Sequence, residues 1–250
     1  MFRSVYDLKD FYASPSGGIV RSVLAHSIRT WWDNLKGFRV IGIGYTQPYL
    51  ELFTGEAERV ISVSPAFQGC YPWPDPQYNM AVLAEESELP LETNSVDRVL
   101  LVHSLEYAEL QRSNLQEIWR VLKSNGRLIV VAPNRSGLWS RAEWSPFGHG
   151  SPFSKEQLRF VLRENLFVYE RANTILFTPP LRWNLIQKAS ATFEKIGPYI
   201  LPGLGGIHIV EASKQIYSGI TATADAKVIV RGRSVAIARP VPEMSIRDDN

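Results

Sequence analysis

Four short runs rich in β-branched and aliphatic residues, FRVIGI (38–43), ERVISVS (58–64), VDRVLLVHS (96–104) and GRLIVVAP (126–133), recur between segments of helical character. The runs are nearly continuous in their apolar content rather than alternating. That is the pattern of strands buried on both faces, hence of a parallel sheet covered by helices. Helical patterns near 47–54 and 113–123 supply the crossovers, and a weaker strand is expected at 80–84. The fold class is therefore α/β, Rossmann-like and doubly wound.

Upstream, residues 4–13 and about 17–35 read as helices. In the second, Ile19, Val20, Val23, Leu24, Ile28, Trp31 and Trp32 recur at near-helical spacing before Lys36-Gly37. Downstream, residues 154–165 read as a helix capped by Ser154, 167–179 as a strand, 181–196 as an amphipathic helix and 205–217 as a strand. Between them NRSGLWSRAEWSPFGHGSPFS (134–154) carries two tryptophans and two phenylalanines, a composition suited to a lid over a site. The tail from about 219 holds one β-prone piece, KVIVRGRSVAIA (227–238). The expected organisation is an N-terminal helical cap at 1–37, a main domain at 38–217 with the loop and the helix of about 181–196 added to it, and a tail at 218–250.

The first run enters GIGYTQPY (42–49). A strand that passes through GxG into a helix presents backbone N–H groups and the positive helix end above the sheet, where ligands of open α/β sheets bind. The alternative is a tight βα turn with no ligand. No lysine follows the glycines, so the phosphate loop of nucleoside triphosphate enzymes is excluded. A dinucleotide fingerprint would need a glycine where Gln47 stands and an acid some twenty residues on, yet residues 59–74 contain no acid at all.

The chain of 250 residues is 45% hydrophobic and carries a net charge of +2, enough apolar material for a sizeable core and too little charge to point to nucleic acid. The start has no signal-peptide-like apolar run, and no stretch is long enough to span a bilayer, so a cytoplasmic location is expected. The single cysteine, Cys70, allows no intrachain disulfide and no cysteine pair for zinc, and no metal is expected.

Several blocks together resemble the class I S-adenosylmethionine-dependent methyltransferases of the type 11 family. VIGIGYTQPY resembles the family's first motif, AEESELPLETNSVDRVLLVHSLEYAE its LP and N-S-x-D block, and EIWRVLKSNGRLIVVAPN the helix and hairpin leading to the fifth strand, together spanning about 38–135. GGIHIVEASKQ resembles the last, antiparallel strand. The resemblance implies a seven-stranded sheet with S-adenosylmethionine across the strand ends. Gly42, Ile43, Gly44 and Tyr45 would lie against its methionine part, Ser64 at its ribose, Glu85 and Ser87 near adenine, and His103, Ser104 and Leu105 near the sulfonium or the methyl acceptor. A solvated Glu85 and a satisfied buried His103 are the structural alternatives. Gly44→Val is expected to abolish cofactor binding and leave the fold intact.

Two positions depart from that family pattern. Thr46 replaces a third small residue, and Ser64 replaces the acid that would grip the ribose hydroxyls, exchanging charge-assisted bonds for weaker neutral ones. His149 and His103 are candidate bases for an acceptor that must lose a proton, whereas His26 and His208 read as structural. Tyr6, Phe11, Tyr12, Trp139, Trp144 and Phe147 are candidate walls for the acceptor, with Arg135 and Arg141 available to a carboxylate or phosphate. APNR stands where an N-P-P-[YF] tetrad would resemble amino-group methylation of bases or glutamine. The acceptor expected is a small molecule, a lipid-like compound or a protein. The rival expectation is a catalytically degenerate protein of the same fold that works by binding a partner, with the tail as a strand to be added to a sheet edge.

Overall fold

The computed structural model describes residues 4–181 and 189–215. Helix α1 (Val5–Ala13) and helix α2 (Pro15–Trp31) are separated by the single residue Ser14, whose backbone N–H closes α1 onto Phe11 O while its hydroxyl caps α2 by accepting from Gly17 N at 3.1 Å. Pro15 occupies the first turn of α2, where its missing donor leaves nothing unsatisfied. Val5, Leu8, Phe11 and Tyr12 of α1 and Val20, Leu24 and Ile28 of α2 recur at three- and four-residue steps and are buried, so each helix turns one apolar stripe to the sheet.

The strands follow as β1 (Arg39–Gly44), β2 (Arg59–Pro65), β3 (Ala81–Ala84), β4 (Val96–Val102), β5 (Leu122–Pro133), β6 (Phe167–Ile175) and β7 (Ile207–Lys214). They form one seven-stranded sheet in the order β3-β2-β1-β4-β5-β7-β6, with β7 antiparallel to both β5 and β6. Helix α3 (Gln47–Leu50) follows β1, α4 (Gln111–Val121) precedes β5, and α5 (Lys155–Glu164) precedes β6. A capping box between Ser154 and Gln157 starts α5. Side chains alternate across the sheet. Val40, Leu100, Val102, Ile129 and Ile209 face α1, α2 and the aromatic loop, while Ile41, Ile43, Val99, Leu101 and Val130 face α4 and α5. The sheet is thus covered on both sides, which is why its strands read as continuous apolar runs.

Some boundaries differ from the sequence reading. The helix expected at 47–54 is one helical turn followed by turns to Ser62's strand, because Glu51 to Glu56 close shorter loops onto Tyr49, Leu50 and Phe53. Strand β5 begins at Leu122, directly from α4, and β6 stops at Ile175. Of the helix expected at 181–196, residues 182–188 lie outside those described. Helix α6 (Ser190–Ile200) continues past Pro198 and fully buries no residue, leaving Ile196, Tyr199 and Ile200 exposed, while its Glu194 accepts from Leu176 N and Thr178 N. The strand-prone piece at 227–238 also lies outside the described residues. Among the described residues, no helix is long and apolar enough to cross a membrane.

Candidate functional site

The parallel register places Gly42 beside Ser62 and Leu100, and Gly44 beside Val102. Gly44 has φ +89, a left-handed conformation open to glycine, and a Cβ there would overlap the carbonyl oxygen of Val102. The same oxygen accepts from Tyr45 N at 2.8 Å, so the chain turns tightly against β4 before α3 starts. A Cβ on Gly42 would collide with the Thr46 side chain, which folds back over the turn. Gly44 is therefore required by the neighbouring strand, and the expectation that Gly44→Val leaves the fold intact is corrected: the substitution strains the backbone and strikes β4.

Around this turn, buried polar atoms gather without protein partners: Thr46 Oγ1, both amide atoms of Gln47, Ser62 Oγ, Ser64 Oγ, Gln68 Oε1 and Glu106 Oε2. Buried polar groups in native folds are almost always satisfied, so a concentration of unpartnered ones at the ends of β1, β2 and β4 suits a hydroxyl- and amine-rich ligand. Ser64 itself is buried, at 2% exposure, with its hydroxyl unused.

His103 follows β4 with φ +52 and no exposed surface. Its Nδ1 lies 3.1 Å from Glu106 Oε1, its Nε2 lies 2.9 Å from the Tyr12 hydroxyl, and its carbonyl accepts a short hydrogen bond from Gln68 Nε2. The carbonyl of Gln68 in turn accepts from Val5 N at 2.8 Å, tying the loop after β2 to the start of α1. Tyr12 stacks on Tyr45 with ring centroids 5.0 Å apart and planes 19° apart. Burial, followed by the neighbouring Tyr49, raises the Tyr12 phenol far above its ordinary range, and burial likewise raises Tyr45 and Tyr49.

A cavity of about 290 Å³ opens beyond the ends of β2 and β3, lined among others by Pro65, Phe67, Glu85, Glu86, Ser87 and Asn114. Glu85 and Ser87 are exposed on its wall. The buried acid is Glu86, which accepts a short bond from the Ser104 hydroxyl and one of 2.9 Å from Asn114 Nδ2. Its pKa is raised, chiefly by burial and further by the nearby Glu106, against the lowering effect of Ser104 and Asn114. Sequence reasoning missed Glu86, Glu106, Gln68 and Asn114. Only the adjacent position in AEES offered a signal for the first.

The aromatic loop is packed onto this region. Trp139 Nε1 donates to Thr178 O at 2.8 Å, Phe147 lies 4.8 Å from the His103 ring, and Phe11 lies 6.3 Å from both Trp144 and Phe147. Ser151 N donates to Glu106 O at 2.8 Å, and Tyr107 donates to Pro146 O at the same distance. The structure thus brings together Phe11, Tyr12, Tyr45, His103, Trp139, Trp144 and Phe147, with Ser104 beside Gly44, whereas Leu105 packs in the core on the α4 and α5 face of the sheet. Tyr6 is exposed on α1, Arg141 is exposed, and Arg135 is exposed beside Pro152 O. His149 is partly exposed, with Nε2 2.7 Å from the Glu143 carbonyl inside the loop. Among the described residues, no three His, Cys, Asp or Glu side chains gather as a metal site.

Residues 34–130 match the family model described as a methyltransferase domain. The fold is similar to a S-adenosylmethionine-dependent methyltransferase from Archaeoglobus fulgidus, at 20% identity over 78% of this chain and 94% of that one with a TM-score of 0.56. It is also similar to one from Thermotoga maritima, at 17% identity over 84% and 96% with a TM-score of 0.58. A third similar structure is geranyl diphosphate C-methyltransferase from Streptomyces coelicolor A3(2), at 14% identity over 76% and 77% with a TM-score of 0.53. A search of curated proteins found no match. The sheet order, the glycine turn and these likenesses define a class I methyltransferase fold. Residues 34–130 thus match a methyltransferase domain within a fold similar to that of S-adenosylmethionine-dependent methyltransferases.

Proposed function

We propose that this protein transfers a methyl group from S-adenosylmethionine to an acceptor, a small molecule, lipid-like compound or protein, held between the strand ends and the aromatic loop. One observation carries the cofactor reading: the seven unpartnered buried polar atoms around Gly44, from Thr46, Gln47, Ser62, Ser64, Gln68 and Glu106, in a fold of this class. Tyr45 and Ser64 would meet the donor's methionine and ribose parts, with Glu85, Glu86 and Ser87 around the adenine cavity. When bound, the donor supplies a methyl carbon whose bond to sulfur breaks onto sulfur as the acceptor's electron pair forms the new bond. The protein's share is to orient the acceptor, exclude water and accept a proton. Helices α1 and α2 act as the cap of this site, and the cytoplasm is the proposed location.

The test is calorimetry with S-adenosylhomocysteine followed by tritium transfer from labelled S-adenosylmethionine to candidate acceptors. Saturable binding with one site is expected. Absence of binding at millimolar ligand would favour the second reading, a partner-binding protein of the same fold, to which Ser64 and the self-closed contact between Gln68 and His103 point.

A further inference from the structure

We propose that the Tyr12 side chain holds the place of the methyl acceptor, and that the slot it fills takes a phenolic hydroxyl whose proton passes to His103 Nε2. The proposal deepens the methyltransferase reading and rests on it.

The first support is the orientation of His103. An ionised carboxylate only accepts hydrogen bonds, so Glu106 Oε1, 3.1 Å from Nδ1, places the ring hydrogen on Nδ1 and leaves the Nε2 lone pair facing away from it. The atom met by that lone pair is the hydroxyl of Tyr12, at 2.9 Å, within the reach required of a general base. Base, orienting acid and hydroxyl thus form one hydrogen-bonded chain at the end of β4, beside the turn that carries Gly44.

The second support is the shape of the slot. The Tyr12 ring lies flat on Tyr45, meets Phe11 edge-on at 5.2 Å and 87°, and meets Tyr49 edge-on at 6.3 Å and 86°. A planar ring bearing a hydroxyl fits every one of these contacts, in the offset and edge arrangements that aromatic rings prefer. The third support is how the occupant is carried. Tyr12 sits on α1, which lies outside the sheet, so displacing α1 breaks the Val5 N–Gln68 O bond and the burial of Leu8 and Phe11 but unpairs no strand.

The proton balance closes within the site. The acceptor's O–H bond breaks, its proton forms the N–H bond at His103 Nε2, and the oxygen keeps the electron pair that forms the bond to the methyl carbon. The imidazolium so formed lies against Glu106, which is buried and whose second oxygen has no partner.

The test uses the full chain with Tyr12→Gly, which leaves a hole the size of a phenol, and p-cresol as the probe against toluene. Calorimetry should show p-cresol bound at least about tenfold more tightly than toluene, the worth of one hydrogen bond. With S-adenosylmethionine the variant should form 4-methylanisole. Adding His103→Phe should remove the preference for p-cresol and lower ether formation by about 100-fold or more. Equal affinity for the two probes overturns the proposal, as does p-cresol bound without ether formed while S-adenosylhomocysteine still binds. If neither wild type nor variant binds S-adenosylhomocysteine, the cofactor reading fails and takes the proposal with it. Should Tyr12→Gly not fold, Tyr12→Phe keeps the ring and removes only the internal hydroxyl. It should bind p-cresol about tenfold more tightly than wild type does, and unchanged affinity overturns the proposal.

Discussion

Trp32 Nε1, at the end of α2, donates to Glu211 Oε1 in β7 at 2.9 Å, a bond between residues 179 apart in the chain. Glu211 is fully buried, and its other oxygen accepts from Arg171 Nε at 2.7 Å and from Arg127 Nη1 at 3.0 Å. One carboxylate therefore joins the N-terminal helices to β5, β6 and β7. Both arginines are partly exposed and keep water when the acid is lost, so the main cost falls on the buried indole N–H. Glu211→Ala should lower stability by about 2 to 3 kcal/mol. Urea unfolding should show this as a lower midpoint with an unchanged slope, and an unchanged midpoint would refute the role.

Gly44→Ala tests the turn itself. The left-handed backbone costs a non-glycine residue about 1 to 2 kcal/mol, and the overlap with Val102 O adds to that. A loss of about 2 to 4 kcal/mol is expected on these grounds, again by urea unfolding. Stability within about 0.5 kcal/mol of wild type would mean that β4 moves aside freely.

Ser64 gives a cleaner probe of cofactor binding, because its hydroxyl is buried, unpartnered and not needed by the turn. In Ser64→Asp a carboxylate can accept from both ribose hydroxyls. Affinity for S-adenosylhomocysteine should rise about tenfold. In the ligand-free state the buried charge should lower the melting temperature, with ligand restoring it. Weaker binding in calorimetry would place the ribose elsewhere.

His208 makes stability depend on pH. It is 4% exposed in β7, with Nδ1 3.1 Å from the Thr174 hydroxyl, and its pKa is lowered to about 4, by burial first and then by Lys155. The unfolded imidazole takes up its proton near pH 6.5, whereas the folded one resists until about 4. Its contribution is therefore complete above the unfolded value and is lost as pH falls through this window, by up to about 3 kcal/mol. His208→Gln keeps a polar partner for Thr174 and removes the titration. The difference between urea midpoints at neutral pH and near pH 4.5 should shrink relative to wild type. An equal difference in both proteins would show that other groups carry the slope.

The parallel strands were legible in the chain because each signal is local. FRVIGI, ERVISVS, VDRVLLVHS and GRLIVVAP are apolar on both sides of the pleat, and that alone calls for cover on both faces. The Ser154 cap was readable for the same reason, since Ser154 and Gln157 satisfy each other within one turn. The helix expected near 181–196 was read from spacing alone, and α6 shows that apolar spacing does not ensure burial.

What only the tertiary structure decided is which side chains share the space above Gly44. Tyr12 and His103 stand 91 residues apart, and their bond exists because α1 lies across the ends of β1 and β4. Glu86 rather than Glu85 is the buried acid because the backbone leaving β3 turns one of two neighbouring carboxyls toward Ser104 and Asn114. The sequence by itself determined the strands, the glycine turn and the class of fold, since these follow from hydrogen bonding and burial within short segments. The closed contacts of Tyr12, Gln68, His103 and Glu106 depend on packing between distant segments, and no local pattern encodes where those segments meet.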